Sequence, residues 1–200
     1  GPYIMKHLKD RPLVFTRYPD GIKGKSFYQK NAPEYMPEWI KTMPWKFEEG
    51  AEKHLIMVRH KADLVWLANQ AVIEIHPWFS RSGTIDYPDF VVFDLDPSEG
   101  STFEQVVAIA KLLKQILDEL KLKSCLKTSG AEGLHIYLPL VNRYTYAELR
   151  EFSGKIAWMA CMLLPDIATI ERNVKKRGSK VYVDFMQNVL GKTLCAPYSV

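Results

Sequence analysis

Four side chains in this 200-residue chain have the types and spacing for chemistry on phosphates. Asp94 and Asp96 end the apolar run Phe90-Val-Val-Phe-Asp-Leu-Asp, which Pro97 closes; Asp184 interrupts Val181-Tyr-Val; and His135 follows the small-residue turn Thr128-Ser-Gly-Ala-Glu-Gly133. Residues two apart on a strand point the same way, so Asp94 and Asp96 share a face. Adjacent like charges repel unless a cation lies between them. Hard carboxylate oxygens suit Mg²⁺ or Mn²⁺ rather than a thiolate-selective metal. Each part also has a plainer reading. Acids at a strand end can cap the next helix, a histidine can be a hydrogen-bonded structural residue, and Thr128–Gly133 can be an ordinary hairpin turn. That turn can equally bring backbone N–H groups close to phosphate oxygens. Brought together on one sheet face, the set points to a metal-assisted phosphate enzyme.

The elements that must do this positioning read as follows. After the strand 90–96, apolar residues at Phe103, Val106, Val107, Ala110, Leu113, Ile116, Leu117 and Leu120 recur at steps of three and four, which predicts an amphipathic helix over 103–122. Ser101 with Glu104 is its capping box. Ser124–Thr128 and Leu134–Leu140 read as strands around the glycine turn. A second helix runs from Tyr146 to Leu164, capped by Thr145 and Glu148, and Lys180–Phe185 is the last strand. The order β-α-β-β-α-β is the ferredoxin-like, RRM-like arrangement. The crossover rule puts its first and third strands in the middle and its fourth beside the first. The fold class is therefore α+β: an RRM-like core over 90–188, with a strand- and turn-rich part over 1–89 packed against it in one domain, 1–200. In that first part Pro19-Asp20-Gly21 is a strong turn signal, 61–68 reads as a short helix and 71–76 as a strand.

Composition is near the globular average, with 47% hydrophobic and 25% charged residues, which excludes a disordered tail, a fibre or a coiled coil. No apolar run is long enough to span a membrane, and no leader precedes the first strand. The three cysteines are scattered, without a C-x-x-C pair, so a reducing cytosol is the expected compartment. Net charge is only +4, yet 172–192 holds six cations (Arg172, Lys175, Lys176, Arg177, Lys180, Lys192) against Asp184, a local +5. This is either a solvated loop or a surface for a phosphate-rich partner.

In order along the chain, Phe93-Asp-Leu-Asp-Pro97, Thr128-Ser-Gly-Ala-Glu-Gly-Leu-His-Ile-Tyr137 and Val181-Tyr-Val-Asp-Phe-Met-Gln-Asn188 resemble the three motifs of the archaeo-eukaryotic primase superfamily. Asp10-Arg-Pro-Leu-Val, Arg17-Tyr-Pro-Asp-Gly, Phe27-Tyr-Gln-Lys-Asn-Ala-Pro33, Ile73-Glu-Ile-His-Pro-Trp78 and Ala196-Pro-Tyr-Ser199 resemble the polymerase domain of bacterial ligase D and stand-alone prokaryotic end-joining polymerases. The resemblance covers nearly the whole chain. It implies that Asp94, Asp96 and Asp184 bind two Mn²⁺ or Mg²⁺ ions and are catalytic. It implies that Ser129, His135, His76, Gln187 and Lys192 contact the nucleotide, with Lys180 a further candidate for nucleotide or DNA. Phe27 and Tyr28 would stack on template bases, with Lys30 and Arg17 also on DNA. Two positions depart from the pattern: Thr16 stands where the family often has lysine, and Ala131-Glu132 where a basic residue is common.

The function so implied is a DNA-dependent DNA/RNA polymerase that fills gaps and extends ends in non-homologous end joining, preferring ribonucleotides. Its partners would be gapped or broken DNA, NTPs and dNTPs, Ku and a DNA ligase, at the prokaryotic nucleoid and not at a membrane. Two alternatives stay open. One is a non-catalytic DNA-end-binding module of the same fold, which three uncompensated acids disfavour. The other is a haloacid-dehalogenase-like phosphatase, for which Asp-Leu-Asp would be the nucleophile motif and which needs a doubly wound parallel sheet.

Overall fold

The structure, a computed structural model, describes residues 1–47 and 50–199. The chain divides into two compact units, Gly1–Ile85 together with the residues from Thr193 onward, and Asp86–Lys192.

The first unit begins with a short helix α1 (Pro2–Leu8), started by a proline in its first turn, in a stretch whose proline and glycine punctuation argues against long helices. Then come β1 (Leu13–Arg17), β2 (Phe27–Gln29), β3 (Lys41–Lys46), β4 (Glu52–Met57), α2 (Lys61–Asn69) and β5 (Val72–Pro77). Strands β2, β1 and β5 form an antiparallel sheet in that order, and β3 and β4 form a separate hairpin. The Pro19-Asp20-Gly21 turn forms as predicted: Gly21 N–H donates to the Tyr18 carbonyl at 3.0 Å with φ +80, which a glycine adopts without strain. Pro44 lies inside β3 rather than in a turn. It is tolerated because, among the described residues, β3 pairs only with β4 and is an edge strand of that hairpin. The core gathers Leu8, Leu13, Phe15, Ile56, Leu67 and Ile75 with Ala196 of the returning C-terminal segment. That segment is tied down where Ala196 N–H donates to Ile75 O at 2.9 Å and Ser199 Oγ accepts from Ile75 N–H at 2.9 Å.

The second unit contains β6 (Phe90–Pro97), α3 (Phe103–Glu119), β7 (Cys125–Thr128), β8 (Leu134–Pro139), α4 (Tyr146–Leu163), β9 (Ala168–Thr169) and β10 (Val181–Asp184). The sheet order is β7-β8-β6-β10-β9. First and third motif strands lie side by side and the fourth flanks the first, as the crossover rule predicts. All pairings are antiparallel except that of the two-residue β9 with β10. Among the described residues there is thus no doubly wound parallel sheet, and the phosphatase alternative goes with it. The cap of α4 is the predicted Thr145/Glu148 box. For α3 the box is Thr102 with Gln105, one residue later than read, because Ser101 Oγ instead donates to Ser98 O at 2.6 Å. One sheet face carries Val91, Phe93, Leu95, Leu134, Ile136, Val181 and Val183 into a core shared with Ile109, Leu113 and Leu117 of α3 and Ile156, Ala157 and Ala160 of α4. Because side chains alternate along each strand, the other face receives the polar set.

Candidate active site

Register, more than sequence distance, assembles this face. Lys127 pairs with His135, His135 with Asp94, and Asp94 with Asp184, so four strands contribute one row of side chains to one face. Asp96 pairs with Tyr182 in the next row. A cleft of about 380 Å³ lies at the end of β6 beside the turn between β7 and β8, lined by Asp94, Asp96, Ser129, Glu132, Gly133 and His135.

The turn that roofs the cleft is tightly built. Ser129 Oγ accepts from Ala131 N–H at 3.1 Å and Gly133 N–H at 3.0 Å, while Ser129 N–H donates to Gly133 O at 3.0 Å. With both lone pairs engaged, the hydroxyl acts as a donor. Gly133 is required sterically: a Cβ there would stand 2.2 Å from the carbonyl oxygen of Leu95.

Electrostatics mark the centre. Burial first, then the charges of Asp184 and Asp96, push the Asp94 carboxyl up to about 7, with Lys127 pulling slightly the other way. Burial also holds His135 down at about 4. Its Nε2 stands 3.4 Å from Asp94 Oδ1. That spacing would suit an ion pair, but the same burial disfavours both charges, so at neutral pH the imidazole is neutral and has one N–H to donate. The other ring nitrogen, Nδ1, is buried with no hydrogen-bond partner among the described residues. Asp184 is held by three donors: Tyr182 Oη at 3.2 Å and Met186 N–H at 2.7 Å to Oδ1, and Gln187 Nε2 at 2.9 Å to Oδ2. Asp96 accepts from Arg177 Nη1 at 3.0 Å, and that guanidinium lies 4.0 Å from the centre of the Tyr182 ring. Among the described residues no three His, Cys, Asp or Glu side chains yet converge as a chelating group.

Of the residues singled out in the sequence, Asp94, Asp96, Asp184, Ser129 and His135 therefore meet on one face of the second unit. Gln187 reaches this cluster only through Asp184. Lys192 is exposed and outside the cleft lining. Lys180 donates to Pro165 O at 2.7 Å. In the first unit His76 approaches Glu74 at 3.4 Å, and its ring meets Tyr28 edge-on at 5.7 Å. Phe27 and Tyr28 are about half exposed, with Lys30 6.0 Å from the Tyr28 ring. Arg17 stacks 5.2 Å over Phe27, yet its donors go to Gln70 O, Gln29 Oε1 and Tyr35 Oη. These contacts tie Arg17 to neighbouring residues of the same unit.

Sequence reading missed three site residues. Lys127 carried a usable signal, since it alternates with Leu126 and stands two positions before Ser129. Arg177 carried none; it is one cation of a basic run, and only tertiary contact turns it inward while Arg172, Lys175 and Lys176 stay exposed. Asn188 is the third. Beyond Asp184 β10 no longer pairs, and the Asn188 side chain takes over: Oδ1 accepts from Val92 N–H at 2.9 Å and Nδ2 donates to Val92 O at 2.8 Å. Nδ2 also donates to Phe185 O at 2.9 Å and to Ser153 Oγ of α4 at 3.3 Å. A side-chain amide thus imitates one more ladder residue, two positions from Asp94.

Comparison with known proteins agrees with this geometry. A family profile described as LigD, primase-polymerase domain matches residues 1–200. The bifunctional non-homologous end joining protein LigD of Bacillus subtilis is 36% identical over 198 residues, and the multifunctional LigD of Pseudomonas aeruginosa 31% over 197. The matches take in 98% of this chain but only 31% and 23% of those proteins, so the chain spans less than a third of the curated relatives' length. A solved polymerase domain from Mycobacterium tuberculosis ligase D, in complex with DNA, superposes with a TM-score of 0.90 at 27% identity, covering 98% of this chain and 71% of that one. No helix among the described residues is long and apolar enough to cross a membrane. With profile, relatives and fold in agreement over the full length, this chain belongs to the LigD primase-polymerase domain family.

Proposed function

We propose that the chain is a template-directed nucleotidyltransferase that fills gaps and extends ends of broken DNA in non-homologous end joining, preferring ribonucleotides. The observation that carries this reading is a cleft lined by Asp94, Asp96, His135 and the Ser129 turn, with Asp184 paired to Asp94 on the same sheet face. The relatives' names supply the end-joining context, and that role calls for Ku and a DNA ligase as partners at the bacterial nucleoid.

The donor set fits divalent cations. Burial and then the charges of Asp184 and Asp96 push Asp94 up to about 7, and a bound cation would offset both. Asp94, Asp96 and Asp184 would hold two Mn²⁺ or Mg²⁺ ions. When bound, these supply the charge that activates a primer 3′-hydroxyl and offsets charge on the reacting phosphate. The protein's own groups do the rest. Tyr182, Gln187 and the Met186 N–H fix the Asp184 carboxylate. Ser129 Oγ–H and the imidazole of His135 donate to phosphate oxygens of the nucleotide. Gly133 lets the turn approach Leu95 closely enough to roof the cleft. Phe27 and Tyr28 offer exposed rings on which template bases stack, with Lys30 beside them for backbone phosphate. His76 would contact the nucleotide sugar.

Primer extension on gapped DNA with Mn²⁺ tests this. The wild type should extend with template fidelity, and the Asp94→Ala, Asp96→Ala double variant should lose about a thousand-fold or more in rate. Equal extension by the double variant overturns the assignment. Tight DNA-end binding by a wild type that incorporates nothing, with or without Mn²⁺, favours the non-catalytic module instead.

A further inference from the structure

Lys127 is the one member of the row Lys127–His135–Asp94–Asp184 with a fixed positive charge, and it stands at the end opposite the carboxylates. Adjacent strands are about 4.8 Å apart, so two strand spacings put Lys127 and Asp94 roughly 10 Å from each other along the row. The side chain is half-buried on the edge strand β7. Its Nζ donates to Thr128 O at 2.6 Å and reaches Ser129 O at 3.5 Å, which brings the ammonium to the base of the turn that roofs the cleft. Its charge is felt at both Asp94 and His135. Glu132, in the same turn, adds a negative charge to the cleft lining.

A nucleoside triphosphate bound here presents an uneven problem. Its reacting phosphate belongs beside the carboxylates, where cations can neutralise it. Its distal phosphates carry most of the charge and must lie away from Asp94, Asp96 and Asp184. Along the row that direction leads past His135 to Lys127. We propose that Lys127 is a substrate-binding residue which receives the distal phosphates of the incoming nucleotide through its ammonium group, and so orients the triphosphate along the row. This rests on the polymerase reading above and adds a residue to it.

The test uses the whole protein with Mn²⁺ and compares the wild type with two variants, Lys127→Met and Lys127→Arg. Calorimetric titrations with a nucleoside triphosphate, the matching monophosphate and inorganic tripolyphosphate are read beside primer-extension kinetics. A charge-assisted contact is worth about 1.5–3 kcal/mol, so Lys127→Met should weaken triphosphate and tripolyphosphate binding about ten- to a hundred-fold. Monophosphate binding should stay within about twofold, Lys127→Arg should recover most of the loss, and extension should show a raised KM at a nearly constant kcat. Lys127→Met that binds triphosphate like wild type overturns the proposal. So does equal weakening of mono- and triphosphate, which would mean that Lys127 only braces the Ser129 turn. The two readings fail separately. A wild type that extends no primer yet loses tripolyphosphate affinity on Lys127→Met refutes the polymerase and keeps the phosphate site. A wild type that binds neither triphosphate nor tripolyphosphate refutes both.

Discussion

Replacing Asp94 by Asn should make the protein inactive and, without divalent cations, more stable at neutral and alkaline pH. Asp94 is only 18% exposed in its side chain and is raised from the usual 3.8 to about 7 by burial and by the charges of Asp184 and Asp96. An acid whose folded value is raised binds more protons when folded than when unfolded. Stability is therefore fullest below about pH 4, falls as pH rises toward 7, and has lost the whole contribution above 7. About three pH units at 1.36 kcal/mol each set an upper figure of roughly 4 kcal/mol; relaxation of the partly solvated site brings the expected gain to about 2–4 kcal/mol. For a chain of this size that is a rise in melting temperature on the order of 5–15 °C. His135 works in the opposite sense, gaining stability as pH rises from about 4 to 6.5, but it is present in both proteins and drops out of the difference. The assay is thermal unfolding followed by circular dichroism from pH 4 to 8 in a chelator, then again with Mn²⁺. The gap between variant and wild type should open between pH 4 and 7, and Mn²⁺ should narrow it by stabilising the wild type more. A variant no more stable than wild type at pH 8, or equally more stable at pH 4 and pH 8, refutes the claim that burial and the neighbouring acids make an ionised Asp94 costly to the fold.

Three further outcomes follow from named contacts. Asn188→Ala strands the buried N–H and C=O of Val92, which is fully buried itself; at about 1–3 kcal/mol per orphaned group it should lose about 2–6 kcal/mol in urea unfolding, and a loss under 1 kcal/mol would refute the ladder role. Gly133→Ala should displace the turn from Leu95 and raise the nucleotide KM at least about tenfold, since an added Cβ in backbone contact forces a shift; unchanged kinetics would show the turn to be pliable. Phe27→Ala and Tyr28→Ala should each weaken template binding by about 1–3 kcal/mol in fluorescence anisotropy while leaving triphosphate affinity intact, and an unchanged template affinity removes those rings from the DNA surface.

Much of this was readable from local sequence because the relevant physics is local. Alternation of Phe93 and Leu95 with Asp94 and Asp96 fixes which side chains share a face, whatever the strand pairs with. The apolar spacing of α3 and the Thr145/Glu148 box of α4 report burial and capping within a few residues. Pro19-Asp20-Gly21 names its own turn. The β-α-β-β-α-β order, with its crossover constraint, then leaves one arrangement that puts Asp184 beside Asp94. Small local competitions moved boundaries, as when Ser101 bonded back to Ser98 and left the α3 cap to Thr102.

Other features depend on distances through space that no short window encodes. Register decides that Lys127, His135, Asp94 and Asp184 form a single row, because a slip of one residue would send each to the opposite face. Arg177 is one cation among six until folding carries it to Asp96 and the Tyr182 ring. Asn188 reads as a polar residue after a strand, and only the ending of β10 shows why an amide must stand opposite Val92. The return of Ala196 and Ser199 to Ile75, across more than a hundred residues, is of the same kind. Sequence by itself settled which groups this chain could bring to chemistry and on which elements; packing settled which of them touch, because burial and pairing energies belong to neighbours in space.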